Sequence, residues 1–347
     1  MMKHPSLWSI PLLAAVAILV TSQDVYPYGE PENGFPNWKE RMVHVMVNRA
    51  RADPEADLAD CDVCAEKDCY DVKLPPMYHS YDLNRAARFH AANQISCGCG
   101  LAHDSPCTLV SDIGDQYDPG PCDGSSSCAC EGGTCPCSGT SWSDRVSAFG
   151  TPPSGENIAY GYGDPIATFY QWFHEPESDP TCGFRMTNGH RYNILGNHTL
   201  IGCGYHGDWW GQDFGGGGED YKIPSGAHHP DRTDPEVDFR AHWYDDEPPS
   251  AAMVNVDGTC YPLELERGTD TNGTFIYTGP VEGDCPRYFF IFEDSEENEV
   301  TYPETGSYGI GDGCEDWTSD RPPAGSDCDY KYEGSTVTGG CGCDIVS

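Results

Sequence analysis

The run NGHRYNILGNHTLIGCGYH (residues 188–206) sets a histidine and an arginine directly before an apolar, strand-like segment, TLIGCGYH. A histidine at the lip of a core strand is either a hydrogen-bonded structural group or one member of a site whose other members lie elsewhere in the chain. Which segments could converge on His190 depends on the elements around it.

Outward from that run the chain alternates helix and strand. PNWKERMVHVMVNRARADPEADL (36–58) reads as a helix opened by Pro36 and Asn37, with Trp38, Met42, Val45 and Met46 at helical spacing. DLNRAARFHAANQI (82–95) offers Asp82 as N-cap and repeats Leu83, Ala87, Ala91 and Ile95 every four residues. DPIATFYQWFHE (164–175) opens on Asp164 and Pro165 and presents Ile166, Phe169, Tyr170 and Phe173 as its apolar face. Strands fit NIAYGY (157–162), TLIGCGYH (199–206) and EVDFRAHWYDD (236–246). In the last, Val237, Phe239, Ala241 and Trp243 point to a core, and Asp238, Arg240, His242 and Tyr244 to water. GDWWGQDFGGGGEDYKIPSG (207–226) reads as a long glycine-rich hairpin loop. The predicted fold class is α+β, with a three-layer α/β/α domain over residues 36–247. After the linker DDEPPSA, short β-rich runs separated by turn residues predict a small all-β, immunoglobulin-like sandwich over 248–316. Residues 317–347 read as a polar, cysteine-containing, poorly ordered tail.

Residues 1–22 have the three parts of a secretory signal: Lys3, the apolar stretch IPLLAAVAILV, and small residues ending at Ser22. The apolar stretch is short of the ~20 residues that span a bilayer, so the expected product is exported and extracellular, without a transmembrane anchor. The 19 cysteines fit an oxidising destination, and their odd number leaves at least one unpaired, paired between chains or removed. CDVCAEKDC (61–69) and PCDGSSSCACEGGTCPC (121–137) therefore read as disulfide-stapled loops rather than zinc or redox motifs. Their connectivity is open. A formal charge of −37 repels phosphate backbones and excludes nucleic acid as a partner. No D-x-D-x-D-G calcium loop is present, and the acidity reads as a solvated surface.

Four ionisable residues stand at element ends. LAHDSP places His103 after the second helix, and SGENIAYG places Glu156 at the entry of a strand. WFHE ends the third helix with Glu175, and GHRYNIL places His190 ahead of the next strand. Element ends are where side chains converge in a cleft.

These segments, with MVNRARADP before them and LIGCGYH after, resemble in this order the CAP superfamily (cysteine-rich secretory, antigen 5 and pathogenesis-related 1), with GHRYNIL similar to its bacterial-type SCP domains. The resemblance implies an α/β/α sandwich whose cavity is lined by two histidines and two glutamates, falling here on His103, Glu156, Glu175 and His190. The cysteine-rich insertion at 107–143 and the loop at 206–235 have no counterpart in it. The resemblance further implies a divalent cation between the histidines, and sterol or lipid binding by some members. Chemically, two imidazoles and one or two carboxylates can hold Zn²⁺, or form a hydrogen-bonded tetrad without metal.

The chain lacks the hydrolase motifs G-x-S-x-G and H-E-x-x-H. Ser105 lies two residues from His103, but HDS reads as a turn in which Asp104 and Ser105 satisfy backbone. The leading expectation is a secreted, non-enzymatic protein whose cavity binds a divalent cation or small ligand. A metal-assisted extracellular hydrolase using the same four residues, and a structural or adhesive exoprotein, are the alternatives. The run GGCGC (339–343) resembles the start of cysteine-containing sorting tails of bacterial surface proteins, or supplies one more disulfide.

Overall fold

A computed structural model describes residues 27–328, apart from 118, 119, 219, 231–235, 312, 324, 326 and 327. The expected signal segment and the GGCGC run lie outside the described residues. Among the described residues the α-helices run in chain order as α1 Trp38–Ala52, α2 Pro54–Leu58, α3 Tyr81–Cys97, α4 Ile113–Gln116, α5 Ser126–Ala129, α6 Trp142–Ser147, α7 Pro165–Phe173 and α8 Gly189–Ile194. The strands β1 Tyr78–His79, β2 Pro153–Tyr160, β3 Leu200–His206 and β4 Trp209–Gly215 form one sheet in the order β1-β3-β4-β2.

Local chemistry explains the two long helices. Asn37 caps α1 by accepting from the amides of Lys39 and Glu40, and the Glu40 carboxylate accepts in return from the Asn37 amide at 2.9 Å. Ser80, not Asp82, caps α3, because its hydroxyl accepts from the Leu83 amide one turn in. Gly98 ends α3 in the left-handed conformation. Leu83, Ala87 and Ala91 are buried as expected, whereas Ile95 is exposed.

One sheet separates two helical layers. Ile201, Cys203, Trp210 and Phe214 pack with α1 and α7 on one face. On the other face α3 lies directly on the strands: a Cβ at Gly202 would stand 2.0 Å from the Asn84 amide, and at Gly204 2.1 Å from the Arg88 amide. The reading of residues 207–226 as a loop is corrected by the strand that follows, whose Gly211 lies against Ala87 of α3. Trp209–Gly215 is strand β4, and its glycines serve helix–sheet packing instead of a turn.

The remaining strands are β5 Ser225–His229, β6 Glu236–Tyr244, β7 Ala251–Val256, β8 Thr259–Pro262, β9 Glu264–Thr269, β10 Asn272–Pro280, β11 Arg287–Glu293, β12 Glu299–Tyr302, β13 Ser307–Gly309 and β14 Trp317–Thr318. They form a four-stranded sheet, β5-β6-β10-β9, and a six-stranded one, β14-β13-β11-β7-β8 with β12 on β11. The two share a core in which Val237, Phe239, Ala241 and Trp243 of β6 meet Val254, Tyr288, Phe290 and Phe292. Backbone pairing therefore crosses the expected boundary at residue 247, since β6 pairs with β10 along its length. The expected tail also contributes: β14 pairs with β13, and Cys328 is joined to Cys260.

Arg240 and His242, expected in water, are buried. Their face of β6 is covered by α1, where Arg49 and Arg240 both meet Glu266, and by the β9–β10 hairpin, where Thr274 and Asn272 bond both nitrogens of His242 at 3.0 Å. At the opposite end of α1, Arg41 pairs bidentately with Asp316 beneath the Tyr308 ring.

Among the described residues, eight disulfides join Cys61–Cys64, Cys69–Cys182, Cys97–Cys135, Cys99–Cys137, Cys107–Cys130, Cys122–Cys128, Cys260–Cys328 and Cys285–Cys314. Four of them secure the cysteine-rich insertion, one to the last residue of α3, one to Cys99 just beyond that helix, and two within itself. Cys203 is free and buried. No helix among the described residues is long and apolar enough to cross a membrane.

Candidate functional site

His103, Glu156, Glu175 and His190 line one cleft of about 370 Å³, together with Trp142, Phe184, Met186 and Asn193 among others. The four arrive from separate elements. His103 lies in the turn after α3, and its carbonyl accepts from Arg145 Nη1 of α6 at 2.8 Å. Glu156 lies within β2, which begins at Pro153, so it is a strand residue and not an entry residue. Glu175 stands two residues beyond α7, which ends at Phe173 because the residue before Pro176 disfavours helical geometry. His190 belongs to the first turn of α8.

The site is built as two imidazole–carboxylate pairs. His103 Nδ1 lies 2.8 Å from Glu156 Oε1, and His190 Nδ1 lies 3.2 Å from Glu175 Oε1. The other Glu175 oxygen accepts the His190 amide at 3.0 Å and so caps α8. The carboxylates lie inside, with side chains 2% and 14% exposed, while the imidazoles are 50% and 32% exposed toward the cleft. A ring whose Nδ1 is engaged by a carboxylate offers Nε2 outward.

Behind these pairs stand residues that sequence reading missed. Arg145 is fully buried, contacts the second oxygen of Glu156, and through His103 O ties both members of that pair to α6. Burial alone would raise the Glu156 carboxyl, but the Arg145 guanidinium and then the His103 hydrogen bond hold it down at about 2. Asp213 faces Glu156 across the β2–β4 ladder and is wholly buried; burial first, and then the Glu156 charge, push its carboxyl well above the usual range. Arg191, beside His190, fixes the chain on the other side of the cleft. It is buried, pairs with Glu66 and donates to the carbonyls of Phe173 and Glu175 at 2.6 and 2.9 Å. Its one advance signal was its place beside His190. Asn157 completes the frame by donating to His190 O and to Gln212.

Ser105 is not available to the cleft. It is fully buried, with its hydroxyl near Arg145 and its amide bonded to Thr140 O, and Asp104 accepts the Trp142 amide as a turn residue should. The insertion thus supports the site from behind, Trp142 reaching its wall.

The cysteine-rich secretory protein family model matches residues 46–215, from the middle of α1 to the end of β4. The chain carries a CAP-superfamily domain. A solved structure of an extracellular protein containing an SCP domain, from Bacillus anthracis strain Ames, is 19% identical over 48% of this chain and 41% of its own length, with a TM-score of 0.28. No curated protein matches the chain significantly. The CAP match stops before β5, so both further sheets lie outside it.

Among the described residues, the sets of three or more groups with ligand atoms within 4.8 Å of one another are Cys97, Cys107, Cys130 and Cys135, and Cys122, Asp123 and Cys128. Their cysteines are all in disulfides. The CAP tetrad is not gathered into such a set. Its carboxylates lie against Nδ1 of each ring, where they orient the imidazoles.

Proposed function

We propose that this is an exported CAP-domain protein whose cleft holds a divalent cation, Zn²⁺ for preference, on Nε2 of His103 and His190. Glu156 and Glu175 serve as the partners that fix tautomer and ring orientation, and water or an oxygen of a small ligand completes the coordination. The observation that supports this reading is the paired arrangement: two half-exposed imidazoles line one cleft, each backed by a carboxylate on Nδ1. Two protein nitrogens with open positions favour exchangeable binding over a structural metal, which takes four. We also read the two C-terminal sheets as an immunoglobulin-like sandwich that braces the CAP domain and presents the chain's acidic surface to the surroundings.

The test is a zinc titration by calorimetry on chelator-stripped protein, with metal analysis of protein purified without chelator. One Zn²⁺ per chain, lost in a His103→Ala/His190→Ala double variant of unchanged circular dichroism, is the expected result. Equal binding by the variant would remove the proposal.

A further inference from the structure

The same cleft is lined by a hydroxyl that cation binding does not use, and a histidine behind the lining bonds it. Ser154 lines it at the start of β2, and its hydroxyl lies 2.7 Å from His198 Nδ1. Three restraints fix that imidazole. Its ring stacks on Phe214 with centroids 5.1 Å apart. Arg51 reaches from α1 to the loop that carries it, donating to Ile194 O and Gly196 O at 2.8 Å each and to His198 O at 3.4 Å. Gly196 leaves space for the far edge of the ring, since a Cβ there would stand 2.7 Å from Nε2.

A hydroxyl in a cleft, hydrogen-bonded to an imidazole held in one orientation, has the geometry of a nucleophile and its base. Burial, and then the Arg51 charge, hold the His198 imidazole down at about 4, so it is neutral near pH 7 and a weak base. Ser105, close in sequence to His103, is sealed behind Arg145.

We propose that Ser154 is a nucleophile, with His198 as its base, that accepts acyl groups from carboxylic esters bound in the cleft. The Ser154 Oγ–carbon bond forms as its proton passes to His198 Nδ1. The ester C–O bond then breaks, and the alcohol leaves with that proton. Water attacks the acyl-serine by the same route, releasing the carboxylic acid and restoring the hydroxyl. A weakly basic imidazole suits alcohol leaving groups over amines, which need fuller protonation to depart. This activity goes beyond cation binding and does not depend on it.

The test treats the full chain near neutral pH with a fluorophosphonate, whose phosphorus bonds Oγ as fluoride departs, and maps the adducts by tandem mass spectrometry. The expected result is an adduct on Ser154 at a rate at least about tenfold above the exposed Ser178, slowed about 10²-fold or more by His198→Gln. Zinc titration of Ser154→Ala should match the parent, so failure here and failure of the cation reading are separable. Labelling of Ser154 no faster than Ser178, or unchanged in His198→Gln, overturns the proposal. Should His198→Gln lose its fold, p-nitrophenyl acetate decides: a burst of one nitrophenolate per parent chain supports the acyl-serine, and no burst overturns it.

Discussion

Glu156 and Asp213 face each other across adjacent strands, yet the two carboxyls are driven in opposite directions, Glu156 down to about 2 and Asp213 well above its usual range. Arg145 reaches Glu156 with its guanidinium, while at Asp213 desolvation and the Glu156 charge outweigh the pull of the same guanidinium. One acid keeps the charge and the other keeps the proton, as coupled buried pairs do. Folding therefore makes Asp213 take up a proton that the unfolded chain releases above about pH 4. Its contribution is neutral below the unfolded value and becomes a loss of stability as pH rises, by about 1.4 kcal/mol for each unit separating the two pKa values. Asp213→Asn, already neutral, should raise the urea midpoint at pH 7, and the gain should disappear at pH ~3.

Arg145 is the cation on which this arrangement rests. Arg145→Met leaves Glu156 charged, buried and without its guanidinium, and should cost about 3–5 kcal/mol in urea denaturation. Pairing it with Glu156→Gln should recover part of that loss, because no uncompensated charge then remains.

Much of the CAP domain was legible because its signals are local. Asn37 with Glu40, Asp164 with Pro165 and the apolar run of β3 each carry their structure in neighbouring residues. Glu156 and His190 were recognisable because they sit in compact motifs that survive any loop length between them. What escaped reading depends on partners far away in the chain. The glycines of β4 look like loop until α3 is seen lying on them. Arg240 and His242 alternate as a wet face would, until α1 covers it. Arg145 sits 42 residues from His103, and nothing in its immediate neighbours marks it as the counter-ion of Glu156.

The glycine contacts make a sharp prediction. Gly204→Ala drives a methyl against the Arg88 amide, a backbone atom that cannot swing aside. A loss of at least about 2 kcal/mol is expected in chemical denaturation. Gly216→Ala, where the added carbon meets open space, should change little.

The Arg41–Asp316 pair joins the first helix to the end of the last sheet. Asp316→Ala strands a guanidinium of 1% exposure among Tyr308 and its neighbours, and about 3–5 kcal/mol should be lost. An Arg41→Met/Asp316→Ala double variant should be the more stable of the two, read from thermal midpoints. If the sheets and the CAP domain unfold together, both variants will keep a single transition.

Helix α1 has no outer surface in the usual sense. One side packs on the CAP sheet, and the other presents Arg41, Asn48 and Arg49 to Asp316, Ser225 and Glu266 of the appended strands. A fragment cut where the family likeness ends, at residue 215, would bare this polar seam and strand three cationic or amide groups that evolved for protein neighbours. The smallest piece worth expressing therefore runs to Cys328, and the strands beyond the family boundary are better regarded as the missing wall of the first helix than as a passenger.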